Sequence, residues 1–256
     1  MTPTLKQYLI LCPFVFLAGL VDSVAGGGGL ISIPAYLASG LPAHMAIGSN
    51  KFSASFASSV SSIRYFKGKR VDLKTAAVSI AFALIGSALG ARTVLYVDPV
   101  FLSYVMLAII PFVAFFVLKK KDFGAVSRVA ELPLPRVLAY SAGIGFTVGF
   151  YDGFFGPGAG TFFVLLYTGL LKYDLITASG NAKVINLASG VSALVVFIIK
   201  GQVAYALAIP AMFCGVTGSF IGSGLALKKG AKVIRPMFVG ALILLIAYIL
   251  KDLLGM

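Results

Sequence analysis

Apolar residues run along this chain in stretches separated by short polar clusters, and the stretches fall into two length classes. Six are roughly 20 residues or more, at 44–66, 73–96, 100–118, 175–199, 203–227 and 233–250. That is the length a helix needs to cross the ~30 Å hydrocarbon core, so each predicts a transmembrane helix. Two further stretches are interrupted. Residues 8–25 run into Gly26, Gly27, Gly28 and Gly29 and are followed by only ten residues at 30–39; residues 137–151 run into the 156–160 break and then 161–171. A helix of ten or eleven residues rises only about 15 Å. Such a segment survives in lipid only where protein or a polar cavity satisfies the freed backbone groups, which predicts a re-entrant hairpin or a discontinuous helix at each break. The expected fold class is therefore an all-α polytopic membrane protein.

Composition sharpens this picture. The 256 residues are 59% apolar and only 11% charged, with a mean hydropathy of +1.01, whereas soluble domains carry about 25% charge. The net charge of +13 would suggest nucleic acid in a soluble protein. Here the Lys and Arg residues cluster between apolar runs and read as topology determinants, so nucleic acid is not an expected partner. Cys12 and Cys214 lie in apolar runs without metal or redox spacing and read as buried structural thiols. The first 25 residues imitate a secretory signal, but hydrophobicity resumes at once and the motif recurs internally, so they are taken as mature protein.

The chain is internally duplicated. GLVDSVAGGGGLISIP at 19–34 returns as GFYDGFFGPGAGTFFV at 149–164, IGSNKFSASFASSVSSI as ASGNAKVINLASGVSAL, and GSALGA as GSFIGS. This predicts a first repeat at 1–118, a basic linker at 119–136 and a second repeat at 137–256. Charge argues for the orientation of the copies. If each broken unit enters and leaves on one side, the repeats are inverted and fourteen of the eighteen Lys and Arg outside the spans share one side against four. If each unit crosses once, the division is twelve against six, so the positive-inside rule favours inversion.

The chemistry-bearing residues sit around the breaks. Asp22 and Asp152 each precede the glycines by four residues, and a carboxylate within a membrane span costs several kcal/mol unless paired, protonated or wet. Each reads as a proton or cation coupling site, as an acceptor that holds the unwound backbone, or as a cap of a half-helix. Gly26, Gly27, Gly28 and Gly29, with Gly156, Gly158 and Gly160, allow positive φ and close backbone approach. Half-helices starting at Leu30 and Thr161 would aim free N–H groups and positive dipole ends inward, which suits an anion. Tight hairpin packing is the alternative. Asn50 and Lys51, and Asn181 and Lys183, open the helices after the breaks as candidate amide donors and countercharges; a lysine here either snorkels or pairs with a buried negative charge. Aligning the two asparagines leaves the lysines one position out of register, so their faces need not be equivalent.

The serines that follow, at 53, 55, 58, 59, 61 and 62, suit close packing or a polar pathway, and Gly86 with Gly90 and Gly218 with Gly222 read as helix contacts. His44 reads as structural. The chain has no HExxH, no nucleophile with His and acid partners and no clustered metal ligands, so no enzyme activity, cofactor or metal is expected.

Taken together, AGLVDSVAGGGGLISIP, GLPAHMAIGSNK and SSIRYFKGKRVD, with the degenerate second copy GFYDGFFGPGAG and ASGNAKVIN, resemble the sulfite exporter TauE/SafE family of membrane permeases over nearly the whole chain. The resemblance implies a multi-pass cell-membrane protein that carries small sulfur-containing anions such as sulfite, sulfoacetate or related organosulfonates, often outward. It does not separate sulfite from other oxyanions. The expectation is a secondary transporter working by alternating access, with a small anion and the lipid bilayer as partners and a homo-oligomer left open. Proton- or cation-coupled uptake of an organic anion, or an anion channel, are the alternatives.

Overall fold

Local sequence signals mark the ends of several helices. The computed structural model describes residues 4–98, 124, 126–230, 232 and 236. In the first part of the chain α1 spans Leu5–Ala25, α2 Gly29–Ala38, α3 Ala43–Lys67 and α4 Leu73–Val94; after a short 3-10 turn at Val129–Glu131 come α5 at Leu134–Phe154, α6 at Ala159–Gly169, α7 at Leu175–Ile199 and α8 at Tyr205–Lys229. No strand occurs among the described residues. Thr4 and Gln7 form a capping box at the start of α1, and Asp72 and Asp174 each accept two backbone N–H bonds at the starts of α4 and α7. Arg64 and Lys67 in the last turn of α3, and Lys228 and Lys229 in that of α8, oppose the negative ends of those helices.

Among the described residues four helices, α1, α4, α7 and α8, are long and apolar enough to cross a membrane. The expected span at 44–66 forms a helix of 25 residues, but α3 is not an apolar span. All its serines but Ser59, with Asn50 and Lys51, are buried inside the bundle. The stretch expected at 137–151 is longer than anticipated, because Pro133 and Pro135 start α5 early and Asp152 is helical. The expected span at 100–118, and that at 233–250 apart from residue 236, lie outside the described residues.

Glycine sets the close approaches. Gly218 and Gly222 of α8 lie against the carbonyls of Phe16 and Leu20 on α1, while Gly86 and Gly90 of α4 lie against those of Phe146 and Phe150 on α5. A Cβ at any of the four would collide with main chain. Both small-residue patterns thus serve as helix contacts, as their spacing suggested. The pairs α1–α8 and α4–α5 flank α3 and α7, which meet in the middle: Ser62 of α3 donates to the Lys183 carbonyl at 3.0 Å. Cys12 and Cys214 are half-buried free thiols that meet across α1 and α8. Beside the bundle Glu131 bridges Arg128 at 2.6 Å and Lys172 at 3.1 Å. The Arg128 guanidinium, with Lys172 behind it, holds the Glu131 carboxyl below its ordinary value.

Gly218→Val and Gly86→Val should each destabilise the fold by about 1–3 kcal/mol through overpacking. Gly143→Ala, where a Cβ meets nothing within 4 Å, should leave the thermal unfolding midpoint of the detergent-solubilised protein nearly unchanged. Equal midpoints for all three would exclude this packing.

Candidate functional site

The two glycine breaks touch each other. α1 ends at Gly26, which takes a left-handed φ of 76°, and α5 gives way to Gly156 and Gly158 at φ 94° and 79°. Only glycine adopts these conformations without strain. The Thr161 N–H, in the first turn of α6, donates to the Gly26 carbonyl at 2.8 Å. The Thr161 hydroxyl reaches the same carbonyl and that of Ala25. No Cβ fits between the chains: one at Gly26 would strike the Gly160–Thr161 backbone, and one at Gly29 would sit 3.2 Å from Pro157 Cα. The half-helices start at Gly29 and Ala159, slightly earlier than expected. The N–H groups of Gly29 and Gly160 have no acceptor among the described residues.

Two buried ion pairs cross between the halves of the chain. Lys51 Nζ on α3 lies 2.7 Å from Asp152 Oδ1 on α5, with both side chains 5% exposed. Lys183 Nζ on α7 lies 2.7 Å from Asp22 Oδ2 on α1, at 0% and 20% exposure. Neither lysine snorkels. The lysines are also equivalent in register. Ser49 Oγ accepts the Ala204 N–H ahead of α8 at 2.9 Å, and Asn181 Oδ1 accepts the Asp72 N–H ahead of α4 at 2.8 Å. Ser49 and Asn181 are therefore counterparts, and Lys51 and Lys183 each follow by two residues. The one-position offset expected from matching Asn50 to Asn181 is corrected: Asn50 corresponds to Ala182, and the two lysines make the same kind of contact.

A cavity forms where the breaks and ion pairs meet, with an empty volume of about 650 Å³ including its opening. Asp22, Gly26, Gly28, Gly29, Asn50, Lys51, Asp152, Gly156, Gly158 and Gly160 line it. Gly27, Asn181 and Lys183 do not. Asn181 is fully buried and pins the turn before α4, with no partner for its Nδ2 among the described residues. Asp22 holds the unwound segment, its Oδ1 accepting the Gly28 N–H at 3.2 Å. Asp152 instead takes the Ser189 hydroxyl on Oδ2 at 2.6 Å.

Ser53, Ser55 and Ser58 line the cavity, so this part of the serine face is polar lining; Ser62 packs against α7. Sequence reasoning missed Ser32 and Asn186, both cavity residues, and Ser189. Ser32 donates to Asn50 Oδ1 at 2.6 Å. Its only signal was a hydroxyl just inside a short apolar run.

The sequence has counterparts among known proteins. The family model described as Sulfite exporter TauE/SafE matches residues 11–249. The chain belongs to that family. Among similar proteins, the Escherichia coli K12 probable membrane transporter protein YfcA is 36% identical over 237 residues, 92% of this chain and 87% of its own. A probable membrane transporter protein of Haemophilus influenzae is 32% identical, covering 88% and 87% of the two chains. Another from a Sinorhizobium species, ORF9, is 34% identical over 93% and 90%. No solved structure matches. As a TauE/SafE member the chain is a multi-pass permease of the cell membrane, which gives its broken helices, polar cavity and buried ion pairs a common setting.

The ion pairs of this TauE/SafE protein are testable without a substrate. Lys183→Met should cost about 3–5 kcal/mol, because it leaves the Asp22 carboxylate without its partner. Asp22→Asn combined with Lys183→Met should recover most of that loss while keeping an acceptor for Gly28. A double-mutant cycle on thermal unfolding reads the coupling, and additive losses would exclude the pair as a stabilising contact.

Proposed function

We propose that this protein carries small sulfur-containing anions, such as sulfite or organosulfonates, outward through the membrane by alternating access of two inverted repeats, at 1–118 and 137–256, with 119–136 as linker. One observation supports the reading above others: the two chain breaks are in direct contact, Thr161 N–H to Gly26 carbonyl, and line one polar cavity. Half-helix N-termini supply unpaired N–H groups and positive dipole ends without adding a mobile charge. The N–H groups of Gly29 and Gly160 and the Asn50 amide are the candidate contacts to an oxyanion. Lys51 and Asp152 sit beside them, and Asp22 and Lys183 hold the frame from the other side.

The crossed pairing of the ion pairs supports alternating access, since each ties one half of the chain to the other at the cavity and gives a rocking motion discrete contacts to make and break. Outward movement of net negative charge from a negative interior gains about 2.3 kcal/mol per charge per 100 mV. A second reading, proton-coupled uptake, is favoured by one specific observation: Lys51 is already neutralised by Asp152, so an anion does not meet a free cation. Function as a transporter leaves no role for an enzyme active site in this reading.

Sulfite and alkanesulfonates should raise the unfolding midpoint of the purified protein while carboxylates of matched size do not, with about 2.7 kcal/mol of stabilisation at a hundredfold excess over Kd. Sulfite efflux from proteoliposomes should quicken when the interior is made negative. Gly160→Val, which places side-chain atoms against Gly26, should abolish both responses. Midpoint shifts that carboxylates reproduce would exclude a sulfur-oxyanion site.

A further inference from the structure

Given the cavity as the anion site, the geometry points to Asp152 as a proton-binding site that fills together with the anion, so that Lys51, released from its carboxylate, becomes the anion's counter-ion. The cavity lining holds one ammonium, Lys51, against two carboxylates, Asp22 and Asp152. The fourth charge, Lys183, is fully buried and engaged with Asp22. An anion that reaches Lys51 therefore arrives beside a carboxylate 2.7 Å from the same ammonium. Two negative charges sharing one buried cation cannot both stay ionised at low cost, and the removable one takes a proton. A sulfonate is the conjugate base of a strong acid, so with such an anion the proton goes to Asp152.

The surroundings of the two carboxylates separate their roles. Asp152 Oδ2 faces the Ser189 hydroxyl at 2.6 Å, and that hydroxyl also lies 3.1 Å from the Asn186 carbonyl. A hydroxyl is one donor and two acceptors. With Asp152 ionised, Ser189 donates to it; with Asp152 protonated, the new O–H on Oδ2 donates to Ser189 Oγ, whose own hydrogen turns to Asn186. Oδ2 is thus bonded in both protonation states.

Asp22 has no such partner arrangement. Its Oδ1 accepts a backbone N–H from Gly28, a group that only donates, and its Oδ2 accepts Lys183 at 2.7 Å. The Ser58 hydroxyl stands off at 3.5 Å. The close partners of Asp22 are therefore donors alone, whereas Asp152 has a hydroxyl that can also accept. The titratable groups around Asp152 are Lys51 from α3, Asp22 from α1 with Lys183 from α7, and Tyr151 on its own helix, whose hydroxyl donates to the Pro157 carbonyl at 2.6 Å. α4 and α6 bring no charged residue to the lining.

The test uses methanesulfonate and sulfate, which stay ionised across the accessible pH range, with the full-length protein in detergent and in liposomes. Calorimetric titration in buffers of different protonation enthalpy should find about one proton taken up per anion bound. Affinity should fall about tenfold per pH unit on the alkaline side of the transition. Methanesulfonate flux, carrying one proton with one negative charge, should not respond to membrane potential. Divalent sulfite with one proton keeps one net negative charge, so its efflux should still quicken when the interior is negative. Asp152→Asn, isosteric and permanently neutral, should bind methanesulfonate at high pH as tightly as the unmodified protein does at low pH, with no proton uptake. Binding by the unmodified protein without proton uptake, which needs no variant to fold, or an unaltered pH slope in Asp152→Asn, overturns the assignment to Asp152 and leaves the anion site standing. Failure of both anions and of sulfite to bind at any pH overturns the anion site and the proton site together.

Discussion

Backbone hydrogen-bond groups that leave a helix inside a membrane protein must find partners there, because lipid offers none. That constraint governs this structure at Gly26. The carbonyl freed where α1 unwinds is taken up by the amide and hydroxyl of Thr161, at the point where α6 begins and has amides to give. One break therefore repairs part of the other, and the negative end of one helix meets the positive end of the next. Such mutual repair demands backbone-to-backbone approach, which explains why glycine stands at 26 and 160 and why any side chain there would part the two segments.

The second consequence concerns charge. Each lysine finds its carboxylate on the opposite half of the chain, and both pairs are too buried for solvent to weaken them greatly. Buried pairs of this kind rarely add much net stability, since desolvation offsets their attraction, but breaking one is expensive. Their effect is to forbid the many packings in which either charge is left alone. In a bundle held otherwise by small-residue contacts and little hydrophobic driving force between helices, that exclusion fixes how α1, α3, α5 and α7 are assembled.

Much of this was legible in the sequence because lipid limits the options. The 175–199 helix could be bounded to the residue: Asp174 is a strong N-cap and polar residues resume at Lys200. Asp22, Asp152, Lys51 and Lys183 stood out because a charge within an apolar run needs a reason. What escaped notice has equally physical causes. The half-helices begin inside the glycines, where helix propensity is poorest and tertiary contact alone decides. Ser32, Ser189 and Asn186 carried no signal, since serines in membrane helices commonly bond to their own preceding turn and their direction is a matter of tertiary fold. Asn181 looked like the match of Asn50 by identity, whereas the structure equates positions by what they bond, and Ser49 and Asn181 bond alike.

That last equivalence carries the argument furthest. Where the halves agree, at the caps before α4 and α8, at the glycine contacts and at the lysines, the shared feature is mechanical. Several of their differences bear on the cavity. Asn50 replaces the position of Ala182 and is joined there by Ser32. Lys51 lines the cavity while Lys183 is enclosed, and Asp152 answers a reorientable hydroxyl while Asp22 answers a backbone amide. A duplicated frame with strictly equal halves would present two equal ion pairs to a single cavity, and neither could yield without weakening the assembly. Divergence at a few positions gives the two pairs different surroundings, one with its lysine enclosed among the helices and the other with both members on the cavity.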